Sequence, residues 1–184
     1  MIRKLFALIA ALLFGFSTWG TKIVSKGVFR CECYDKDGRL KWSEDFPNGA
    51  TTVGLSDMLT VAFAAGTQKT AWYMGLIDNA SFSALSAGDT ASSHSGWIEN
   101  VNYDEATRPA WGAGTGSGGV ITNASSVNFT MSASVTIKGA FLISNSTKSG
   151  TSGVLFCTGN MASTQAVVDN DVLKFTYSVT LTPG

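Results

Sequence analysis

The chain has 184 residues, of which 45% are hydrophobic and only 14% charged. That length gives one domain with room for an appendage, and that apolar content excludes disorder throughout. Thirteen Lys and Arg balance thirteen Asp and Glu, so no cationic surplus serves phosphate contacts and nucleic acid is excluded as the main partner.

Residues 1–26 read as an apolar N-terminal segment with helical character. Arg3 and Lys4 precede an apolar run from Leu5 to Phe16. The run suits a secretory h-region and is short for a bilayer span, which needs about 20 apolar residues. A signal peptide, an uncleaved anchor or virion-buried helix, and an extension from an upstream start all fit, so membrane contact of residues 1–20 stays open.

Residues 27–184 read as one β domain. Gly27–Phe46 predicts a hairpin turning through Lys36, Asp37 and Gly38, since Asp-Gly between alternating runs is a strong hairpin signal. Pro47, Asn48 and Gly49 are expected to stop its second strand. Cys31 and Cys33 share a strand face; with Cys157 far away, buried small apolar residues are the expected reading rather than a metal site. A helix is predicted at about 52–65. Leu55, Met58, Leu59, Ala62 and Phe63 form its apolar stripe for packing on a sheet, and Gly66 is its C-cap.

Thr70–Ile77 predicts a strand buried on both faces, and Trp97–Tyr103 alternates like a half-buried one. Gly112–Gly119 reads as a flexible loop without core-forming side chains. Strands follow at 120–122, 126–131, 134–143, 153–158, 164–168 and 171–181. That spacing predicts an antiparallel β-sandwich, immunoglobulin-like or jelly-roll, with one packing helix.

Chemistry is thinly supplied. His94 lies among serines, without a nucleophile elbow or an orienting carboxylate. Glu99, Asp104 and Glu105 are read as neutralising Arg108 and capping a turn. Asp169-Asn-Asp171 is read as a tight turn, because no calcium loop surrounds it. No catalytic residue, metal or other cofactor is expected. Trp72, Trp97, Trp111, His94 and Arg108 are the candidate interface residues. The tryptophans also fit a sugar-binding groove, although core packing is their commoner use.

Cys31-Glu-Cys-Tyr-Asp-Lys-Asp-Gly-Arg-Leu-Lys-Trp42, Asn48 and Gly54-Leu-Ser-Asp57 resemble small structural proteins of tailed bacteriophages. Trp72-Tyr-Met-Gly-Leu76, Gly88-Asp-Thr90, His94-Ser-Gly-Trp97 and Tyr103-Asp-Glu-Ala-Thr-Arg-Pro109 continue the likeness. Lys138-Gly-Ala-Phe-Leu142, Ser146-Thr-Lys148 and Gly153-Val-Leu-Phe156 complete it over about residues 27–184. The resemblance implies a non-enzymatic virion protein on the particle exterior, of the capsid decoration or head-fibre type. It would be a homo-oligomer bound to capsid or other virion proteins. Two alternatives accompany it: a tail fibre or adhesin for a host receptor or surface glycan, and a module exported to the bacterial surface or periplasm.

Overall fold

The computed structural model describes residues 23–183. The expected apolar N-terminal helix, with its signal or anchor reading, falls outside the described residues. The first strand, β1, spans Ile23–Tyr34, so residues 23–26 belong to the domain and not to the apolar segment.

The β1–β2 hairpin forms as the Asp-Gly signal predicts. β2 spans Leu40–Ala50. Between the strands, Asp35 Oδ1 accepts from the backbone N–H of Asp37 and of Arg39 at 2.9 and 2.8 Å, while Gly38 takes φ +79°. The expected stop at Pro47 is corrected. Val28 pairs with Pro47, and Asn48–Ala50 then pair with Cys157–Gly159 instead of β1. Proline has no N–H for the first ladder, so the strand changes partner there and continues.

α1 spans Thr52–Phe63, with Thr51 as N-cap accepting from Gly54 N at 3.0 Å. Its end differs from expectation. The left-handed residue is Ala65, at φ +55°, and Gly66 N donates to Thr60 O at 3.0 Å.

β3 (Trp72–Asp78), β4 (Glu99–Asn100), β5 (Ala110–Trp111), β6 (Val120–Thr122), β7 (Val127–Thr130), β8 (Val135–Ile143), β9 (Leu155–Val167) and β10 (Val172–Pro183) follow. The predicted strand at 97–103 shrinks to the two residues of β4. Trp97, Asn100 and Tyr103 are buried there, a spacing of three that no strand produces. The two strands expected at 153–158 and 164–168 form one long β9. Gly112–Gly119 contains a tight hairpin: Ser117 and Val120 exchange backbone hydrogen bonds across Gly118 and Gly119, both at positive φ.

The fold is mainly β. All pairings are antiparallel, and the strands run β4-β3-β8-β9-β2-β1-β10-β6, with β5 on β3 and β7 on β10. Residues from distant strands share one core: Phe29 stacks on Tyr177 at 4.3 Å and on Phe46 at 5.4 Å, and Met74, Leu142 and Met161 belong to the same cluster.

Cys31, Cys33 and Cys157 are free and buried in this core. Burial pushes the Cys33 and Cys157 thiols up to about 12 from an ordinary 9.0 and raises Cys31 as well. Above pH 9 the unfolded chain loses thiol protons that the native chain keeps. Stability therefore falls as pH rises from about 9 toward 12. A urea midpoint lower at pH 10.5 than at pH 8, with the difference reduced in Cys157→Ala, is the expected result.

Candidate interaction surface

α1 is set by its smallest residue. A Cβ on Gly54 would lie 2.5 Å from the Phe156 carbonyl oxygen and 2.7 Å from its Cα. Gly54 therefore lets the helix backbone rest directly on β9. The inward line is then Gly54, Asp57, Met58 and Val61, at i, i+3, i+4 and i+7. This corrects the predicted stripe. Met58 turns inward, whereas Leu55, Leu59 and Phe63 point to solvent, with Leu59 55% and Phe63 81% exposed. Single exposed apolar residues are ordinary, whereas Leu55, Leu59 and Phe63 share one helix face.

Beneath α1 lies an apolar groove of about 540 Å³. Met58 and Val61 form one wall, Val120 and Ile121 of β6 with Val179 and Leu181 of β10 form another, and Trp72 and Trp111 lie among its lining residues. The Gly118-Gly119 turn closes one side, where a Cβ on Gly119 would meet Leu181 O at 2.5 Å. Its charged lining residues, Asp57 and Lys69, bind each other at 2.7 Å.

The five candidate interface residues divide between this groove and a smaller pocket of about 270 Å³. Trp72 and Trp111 stand opposite each other on β3 and β5. Trp72 is half-buried and meets the Phe156 ring edge-on at 5.6 Å. Trp111 is 7% exposed, and its buried Nε1 has no hydrogen-bond partner.

The smaller pocket gathers His94, Trp97 and Arg108. Trp97 is 3% exposed and donates from Nε1 to Asp89 Oδ2 at 2.9 Å. His94 stacks on it at 4.0 Å, with Nδ1 3.0 Å from the Trp97 carbonyl oxygen. That oxygen only accepts, so Nδ1 carries a proton.

Arg108 is buried and grips Glu99 with two parallel bonds of 2.8 Å, from Nε to Oε1 and from Nη2 to Oε2. Nη1 donates to Asn145 O at 2.9 Å. Glu99 also accepts from Ser149 N at 2.6 Å. These bonds tie the 99–108 loop to the 145–150 loop. Glu105 serves elsewhere, taking Thr130 N at 3.0 Å.

Trp97, Trp111 and Arg108 thus spend their contacts inside the fold. A sugar-stacking platform needs an open aromatic face, and Trp97 and Trp111 keep little of theirs open. The predicted turn at Asp169–Asp171 is present: Asn170 is left-handed, Asp171 N donates to Val168 O at 3.0 Å, and buried Asp171 Oδ2 takes Lys41 Nζ at 2.5 Å.

No family model matches the chain, and no curated protein matches it. Sequence reasoning missed the outward turn of Leu59 and Phe63 and the walls supplied by β6 and β10. The inward helix face had a local signal, because Gly54, Asp57, Met58 and Val61 are also spaced for one face. The larger side chains of the competing stripe outweighed it. The β6 and β10 walls had no local signal.

Proposed function

We propose that this chain is a bacteriophage virion structural protein, a capsid decoration or head-fibre subunit on the particle exterior. In this reading the β domain is a sandwich, immunoglobulin-like or jelly-roll, and α1 is the element it presents to its partners. The carrying observation is the outward apolar face Leu55, Leu59 and Phe63 on a helix that is already docked by its other side. Such a face is covered by another protein surface: a capsid protein, another virion protein or a second copy. The phage-like residues between Cys31 and Phe156 support the same reading. Little charge on this face suits the centre of an interface.

The test has two parts. Immunogold electron microscopy, on particles from the host that encodes the chain, is expected to label the head. Label on the tail moves the protein to the fibre or adhesin alternative, and unlabelled particles overturn the virion reading. In a particle-binding assay, Leu59→Asp with Phe63→Asp is expected to weaken attachment more than about tenfold. Each such side chain contributes roughly 1.5–3 kcal/mol when fully covered, and about 1.4 kcal/mol is a factor of ten. The thermal midpoint should move little, because neither side chain is packed within the chain. Unchanged attachment removes α1 from the interface.

A further inference from the structure

The groove beneath α1 is a separate question from the helix's outer face. Its lining is apolar and its charged pair is internally neutralised, so it suits an apolar, uncharged occupant. The chain contains one. Leu5–Phe16 is twelve residues without a charge. It lies outside the described residues, next to the end of the chain that approaches the groove.

β1 begins at Ile23, opposite Pro183, and two residues along the same ladder Ser25 stands opposite the groove residue Leu181. With about 3.3 Å per residue along a strand and about 4.8 Å between strands, Ile23 comes within about 10 Å of the Leu181 backbone. Residues 17–22 reach up to about 20 Å when extended. The tether therefore spans the gap.

We propose that Leu5–Phe16 seats in the groove of its own chain, against Met58, Val61, Val120, Val179 and Leu181. The apolar chemistry of both surfaces matches. A short tether also holds the segment near the groove at an effective concentration in the millimolar range, above that of a second copy in dilute solution. A run of twelve residues is, in addition, shorter than the roughly 20 a bilayer span requires.

The test uses the full chain, with residues 1–22 verified by intact mass and photoreactive p-benzoylphenylalanine in place of Val120. Irradiation is expected to cross-link position 120 to the peptide containing residues 5–16, at the mass of one chain. Without the photoreactive group, Leu8→Asp with Leu12→Asp is expected to raise the fluorescence of an added apolar dye severalfold as the groove opens. No cross-link to that peptide, or a cross-link only at dimer mass, overturns the proposal. So does a chain that floats with phosphatidylcholine vesicles while its groove binds the dye. None of these outcomes bears on Leu59 and Phe63, so the proposal and the virion reading fail separately.

Discussion

Arg108→Ala is expected to lower the free energy of unfolding by about 3–5 kcal/mol, the cost of breaking a buried ion pair from one side. The Arg108 and Glu99 side chains are only 3% and 6% exposed, and Glu99 would lose the partner of both its 2.8 Å ion-pair bonds. The loss extends beyond the pair. Arg108 also holds Asn145 O, and its guanidinium sits 5.3 Å from the centre of the Phe141 ring. Urea unfolding at pH 7 measures the effect. Replacing both partners, Glu99→Gln with Arg108→Met, should cost less than Arg108→Ala, because an uncharged pair of similar volume leaves no orphaned charge. A single-variant loss under about 1 kcal/mol would mean that the 99–108 and 145–150 loops are held together by something else.

Gly54→Leu is expected to cost about 3 kcal/mol and to open the groove. The sign makes the test. In a helix free of neighbours, replacing glycine with a better helix former gains up to about 1 kcal/mol. Here the new Cβ falls on the backbone of Phe156, which cannot rotate away as a side chain can. α1 must lift or β9 must shift, at the overpacking costs typical of a filled core. Thermal unfolding and apolar-dye binding should change together. Gly49→Ala is the control, because nothing lies within 4 Å of its added Cβ. A Gly54→Leu variant at least as stable as the parent would show that α1 does not rest on β9 through this residue.

Much of the fold was legible because its signals are local. Asp37-Gly38 marks a hairpin through its own backbone preferences. The alternation in β10 marks a strand with one buried face, and the apolar Thr70–Ile77 stretch marks β3. The places where reading the chain failed have a common cause. Trp97–Tyr103 alternates in the sequence, yet the Glu99–Arg108 pair and the burial of Trp97, Asn100 and Tyr103 impose a different path. Pro47 signals an end because its missing N–H is a local feature, whereas the β9 partner beyond it is not. Of the candidate interface residues, Trp97, Trp111 and Arg108 have interface chemistry but are buried, because exposure is a property of the whole fold.

Periodicity and turn residues act within a few positions, so a mainly β chain with an early hairpin, a helix at about 52–65 and a run of late strands is legible from the residues alone. Which side of that helix faces inward, where β2 changes partner, and how Trp72, Trp111, Val120 and Leu181 come to line one groove are not legible there. Those outcomes depend on contacts between residues far apart in the chain. The meeting of Gly54 with Phe156 shows why: a missing side chain sets the helix's rotation only where another strand's backbone comes close enough to use the space.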